Sequence, residues 1–212
     1  MKLIKRILGR ILRECRKLRC KIARRRLQNT TPTIVANDCV GGVIYHDLGL
    51  QFRSPTVNLW IPTEEFLLFA KDMQAYLSAE LTQVPAGDKP YPVGALEYGG
   101  NTVTIHFMHY PDFPTAARKW EARKQRMDMS NLYLILDAPD ATAAVIEAFE
   151  ALPYGNKLLI SASNPTHSPL VQVLPLYASG TYQPGEILQH PSRFAMKRHL
   201  DDVDYISFLN RS

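Results

Sequence analysis

Several things are scarce in this sequence. It holds three cysteines in 212 residues, Cys15, Cys20 and Cys39. That odd, small number cannot make a disulfide framework, so reduced cytosolic thiols are expected. No uncharged apolar run reaches the ~18 residues of a spanning helix. The first 26 residues contain one acid, Glu14, and no serine or threonine. A secretory signal needs an apolar core of about 7–15 residues, which the arginines interrupt, and a transit peptide would be serine-rich. Neither a zinc-type Cys/His spacing nor a Walker or spaced-glycine nucleotide loop occurs, so no metal or cofactor is expected. What remains is ordinary: 46% hydrophobic and 21% charged residues, enough for a folded domain with a full core.

The net charge of +5 conceals an asymmetry. Residues 1–26 carry 12 of the 25 basic residues and are +11, while the rest is −6. Ile4, Leu8, Ile11, Cys15, Leu18 and Ile22 step by four and three, and Leu3, Ile7 and Leu12 widen the stripe, so a basic amphipathic helix is expected. Such a helix can lie on an anionic membrane, grip nucleic acid through phosphates, or pack its stripe on the body or a second copy. Burial and charge together favour the membrane. The acidic body, without a base-stacking motif, argues against nucleic acid.

The expected organisation is a helix over 1–29 and an α/β domain over 30–212, divisible into halves 30–128 and 129–212. Thr33–Asn37 reads as a buried strand, 38–42 as a tight loop, Val43–Leu48 as a short helix and Pro55–Ile61 as a strand, together a β–α–β unit. Thr63 is expected to cap a helix whose core face is Phe66, Ala70, Met73 and Leu77. A hairpin turns at Tyr98–Asn101, and a helix opens at Asp112 with Trp120 toward the core. Leu132–Leu136, a turn with Asp140 as cap, a helix over 141–151 and a strand over 157–161 read as a second β–α–β unit. A strand near 170–176 and a closing helix over 201–209 complete an α/β fold of two similar halves around a mixed sheet.

The stretches Ala36–Leu50, Arg53–Asn58, Tyr91–Gly94, Ile105–Tyr110, Lys119–Arg126 and Asp204–Asn210 occur in an order that resembles a bacterial family of unknown function. Its members are often labelled exopolysaccharide biosynthesis proteins. The resemblance covers nearly all of residues 30–210 and implies an α/β fold and a place in surface-polysaccharide assembly. The basic arm looks like an addition to the family's core.

Candidate site residues cluster at the loop Asn37-Asp38-Cys39-Val40-Gly41-Gly42. A strand-to-helix loop with paired glycines suits a phosphate or sugar, although a tight turn would use the same residues. Asp38 is a candidate base, ribose or metal contact, or a helix cap. Cys39 is either a nucleophile with His46, His106 or His109 as base, or a buried structural thiol. His106 and His109, three apart in an apolar strand, face opposite sides and share no metal site. Lys119, Arg123 and Arg126 form one basic helix face, for a phosphate or for solvent. Asn58 is placed on a strand, reading sugar hydroxyls or tying down a loop. The leading reading is a participant in exopolysaccharide or capsule biosynthesis at the cytoplasmic membrane face. As a transferase it would act on a sugar nucleotide or lipid-linked sugar. The runner-up is a non-catalytic, membrane-docked binding or assembly protein of a polysaccharide synthesis complex.

Overall fold

The computed structural model describes residues 2–192 and 195–211, with side chains described from residue 10 on, Ser179 excepted. The apolar runs form the expected strands. β1 (Thr33–Ala36), β5 (Leu132–Asp137), β6 (Asn156–Ser161) and β7 (Val171–Val173) make a sheet in the order β1-β5-β6-β7. Every pairing in it is parallel, with Thr33 opposite Leu132 and Asp137 opposite Ile160. Parallel sheets are covered on both faces, which explains runs rather than alternation in these strands. Val35, Leu132, Leu134 and Leu136 point into one core with Phe66, Phe69, Trp120, Ile146 and Phe149. Ile34, Ala36, Tyr133 and Ile135 point into a second core with Ile44, Tyr45, Leu200 and Phe208.

The first face is covered by α3 (Thr63–Lys71), α4 (Met73–Ser78), α5 (Phe113–Lys124), α6 (Ala143–Glu150) and an antiparallel sheet of β2 (Thr82–Val84), β3 (Val93–Tyr98) and β4 (Asn101–His106). The second face is covered by α2 (Val40–Leu48) and the C-terminal segment ending in α7 (Tyr205–Leu209). The α/β class, the hairpin and the basic N-terminal helix α1 (Lys2–Arg26) are as expected. Among the described residues, no helix is long and apolar enough to cross a membrane.

Several local expectations change. The first β–α–β unit does not form, because residues 55–61 are not a parallel strand. Asn58 takes a left-handed φ of 63°, and only Trp60 bridges, antiparallel, to His106 at the end of β4. The Ile61 N–H donates to the Asn37 carbonyl (2.8 Å), so residues 60–61 tie the antiparallel sheet to the end of β1. The parallel sheet therefore joins strands from both expected halves. Pro62, not Thr63, stands at the α3 N-cap without a side-chain bond. The core face Phe66, Ala70, Met73 and Leu77 is buried as expected, but Asp72 interrupts the helix. Thr142, not Asp140, caps α6 by accepting from the Val145 N–H (3.3 Å). Asp112 caps α5 as expected, accepting from the Thr115 N–H (2.7 Å). The C-terminal expectation resolves into a 3-10 turn, His199–Asp202, and the short α7.

Candidate functional site

The C-terminal edge of the parallel sheet brings Asp38 and Asp137 together from the ends of β1 and β5. Asn37 makes the junction. Its amide donates to the Asp137 carbonyl (3.0 Å) and accepts from the Asp137 N–H (2.9 Å). The side chain acts as one more peptide unit, extending the ladder past the last paired residue of β1. The two carboxyl groups lie near enough for each to shift the other's ionisation. Protein surrounds them closely, yet each keeps a partly exposed edge. Asp38 Oδ1 also accepts from the Val40 N–H (2.9 Å). The Tyr177 hydroxyl donates to both oxygens of Asp137 (2.9 and 3.0 Å). Nearby, the Tyr182 hydroxyl donates to Asp140 and its ring meets Tyr177 edge-on at 5.2 Å.

Burial pushes the Asp38 carboxyl from 3.8 up to about 6, against the opposing pull of the Val40 N–H. Burial and then the neighbouring Asp38 charge push Asp137 well above the carboxylate range, with Tyr177 opposing. Two carboxyl groups this close cannot both ionise readily, so they share a proton. The upward push is stronger on Asp137 than on Asp38. Carboxyl groups raised in this way are suited to proton transfer.

The glycines have another purpose than an anion cradle. Gly41 and Gly42 lie inside the first turn of α2, not in a loop. A Cβ on Gly41 would stand 3.1 Å from Ala36 Cβ, and one on Gly42 2.8 Å from Asn58 Oδ1 and 3.1 Å from Val57 Cγ1. They let α2 press against β1 and the 57–58 segment. Cys39 is buried and its thiol is pushed up to about 12 by burial, so it supplies no thiolate.

The remaining candidates do not join the carboxyl pair in any contact. His106 is buried, with its ring 4.6 Å from that of Trp60 and its Nδ1 without a hydrogen-bond partner. Burial lowers its pKa. His109 lies beyond the end of β4 on an exposed turn. Lys119 and Arg126 are exposed, but Arg123 is buried: its guanidinium donates to Tyr110 Oη and to the Val57 carbonyl (3.2 Å), and lies over the Phe52 ring at 5.1 Å. The expected single basic face is thus divided, and its central arginine is a packing clamp. Asn58 stands on a turn against Gly42 rather than on a strand.

Sequence reasoning placed Asp137 in a turn and missed its role, and missed Tyr177 altogether. A signal for Asp137 existed, since each aspartate comes directly after an apolar strand, Ile-Val-Ala-Asn-Asp38 and Leu-Ile-Leu-Asp137. Nothing local marks Tyr177, which arrives by tertiary folding. Among the described residues, no group of three or more His, Cys, Asp or Glu side chains is arranged to hold a metal.

A domain of unknown function, DUF1919, matches residues 12–210. The match begins inside α1, so the second half of the arm lies within the family's span and is not an addition to it. An uncharacterized protein of Haemophilus influenzae is 34% identical over 197 residues, covering 89% of this chain and 88% of the relative. With nearly the whole α/β body and its carboxyl pair inside the matched span, the chain belongs to the DUF1919 family.

Proposed function

We propose that this protein is a transferase of surface-polysaccharide assembly, working peripherally at the inner face of the cell membrane on a sugar nucleotide or lipid-linked sugar. The observation that supports catalysis is the Asp38–Asp137 pair at the C-terminal strand ends, where open α/β sheets hold their ligands. Asp38, with its pKa raised to about 6, is suited to take the proton of an acceptor hydroxyl as that oxygen bonds the sugar's anomeric carbon and the bond to the donor's diphosphate breaks, the diphosphate leaving with the electron pair. Asp137, held by Tyr177, keeps that carboxylate oriented and shares the proton. The polysaccharide context rests on the sequence resemblance alone.

The test uses a panel of nucleotide sugars with undecaprenyl-phosphate-linked acceptors, with transfer read by mass spectrometry. Wild type should transfer sugar from at least one donor. Asp38→Asn should lower kcat by about 10²–10⁴-fold, the usual worth of a general base. Wild-type turnover in Asp38→Asn, or no transfer by wild type from any donor, would overturn the reading.

A further inference from the structure

We propose that α1 binds an anionic lipid bilayer through the ridge Ile11–Leu18–Ile22, with the body carried on the opposite side of the helix. This names the surface for the peripheral placement proposed above. It does not depend on the carboxyl-pair chemistry.

The argument starts from how α1 docks. An amphipathic helix normally buries its apolar stripe against its own domain. This one does the reverse. Its body-facing residues are Arg16, Cys20, Ala23, Arg24 and Leu27. Arg16 pairs with Asp47 and with Asp201 (2.5 Å), both buried carboxylates. Arg24 donates to the Asp47 carbonyl (3.0 Å) and the His46 carbonyl (3.4 Å) at the C-terminal end of α2, where a cation is favoured. Ala23 and Leu27 pack on the core of that face.

Ile11, Leu18 and Ile22 stay 52%, 58% and 48% exposed. At about 100° per residue, positions 11, 18 and 22 fall within a narrow arc almost diametrically opposite 16, 20, 23 and 27. The reading that the stripe packs on the body is therefore corrected at Ile11, Leu18 and Ile22, while Leu12 and Cys15 at its edge are half-buried. The stripe's continuation at Leu3, Ile4, Ile7 and Leu8 lies outside the described side chains.

What borders the ridge identifies its occupant. Arg10, Lys17, Lys21 and Arg25 flank one side, with the single acid Glu14 paired to Lys17 (2.8 Å), and Arg19 and Arg26 flank the other; all are exposed. Cations bordering a Leu/Ile ridge match a surface with negative headgroups over hydrocarbon, where long basic side chains reach up while the ridge sinks. A second copy would bring two +11 segments face to face. A nucleic acid would leave three large apolar side chains wetted at its phosphates.

The experiment is co-sedimentation of the full-length protein with phosphatidylcholine vesicles, with and without one-quarter phosphatidylglycerol. Wild type should pellet only with the anionic vesicles, more weakly at high salt. The triple variant Ile11→Ser, Leu18→Ser, Ile22→Ser alters only exposed positions, so its melting temperature should hold, and its vesicle affinity should fall by at least about thirtyfold. Lys17→Glu with Lys21→Glu should abolish the preference for anionic vesicles. The proposal is overturned if wild type stays in the supernatant, or if the triple-serine variant pellets equally. It is also overturned if that variant converts a dimer to a monomer with vesicle binding unchanged, or if wild type retains a DNA duplex but no vesicles. Sugar transfer from a soluble acceptor is read separately, so loss of vesicle binding and loss of the Asp38 reaction are distinguishable.

Discussion

Asp38 is a group whose chemistry costs the fold something. Its pKa rises from 3.8 to about 6 on folding, so the folded state binds the proton more tightly than the unfolded chain. Stability is then highest below the unfolded value, falls as pH rises from about 4 to about 6, and stays lower above that. A shift of this size corresponds to roughly 2–3 kcal/mol. Asp38→Asn should therefore raise the melting temperature at pH 7–8, by about 4–10 °C for a chain of this length, and the gain should shrink toward zero near pH 4. Differential scanning calorimetry across that range checks it. An equal melting temperature at both ends would mean Asp38 is not held against its ionisation. A variant that gains stability while losing turnover is the pattern expected of a catalytic residue. The pair itself could not be read as a pair from the sequence, because its members lie 99 positions apart. Only the β1–β5 pairing places them side by side.

Elements were legible where one physical signal dominated. The hairpin of β3 and β4 needed its Tyr98-Gly99-Gly100-Asn101 turn, and both glycines take positive φ there. β1, β5 and β6 were legible as short apolar runs bounded by polar turns. Residues 55–61 carry the same β-branched and aromatic content, but Asn58 breaks the extended chain, and composition does not show a backbone angle. On α5, Arg123 falls in register with Ala116 and Trp120, the buried face. Charge alone suggested solvent, while the spacing of four and seven residues pointed inward. The glycines of α2 were legible as a requirement for smallness, and the structure shows that the close neighbour is protein. Gly42→Val should overpack the contact with Val57 and Asn58 and cost about 1–3 kcal/mol, read as a lower urea midpoint. An unchanged midpoint would mean the 57–58 segment moves aside freely.

For the molecule as a whole, the ion cluster around Arg16 decides where the N-terminal helix sits. Arg16 joins Asp47 on α2 to Asp201 on the C-terminal segment, with Arg198 also 3.3 Å from Asp47 and Arg19 3.6 Å from Asp201. One guanidinium thus connects three parts of the chain that are remote in sequence. Arg16→Met would leave two buried carboxylates with weaker partners and should cost about 2–4 kcal/mol. Amide exchange over residues 10–26 should accelerate more than in the parallel sheet. Uniform acceleration everywhere would mean α1 unfolds only with the whole domain. This lock was not legible in the sequence, where Arg16 looked like any other cation of the arm.

The pairing of β1 with β5 has a consequence for how the chain is made. Thr33 waits for Leu132, and at ribosomal speeds of about 5–20 residues per second that interval is roughly 5–20 s. Asp201, the partner that fixes Arg16, is synthesised later still. For most of that time α1 is outside the ribosome without the surface it will dock on, and Arg16 is without its two carboxylates. On the bilayer placement proposed above, the arm can meet its surface before the body exists, and the α/β domain then folds as a tethered chain.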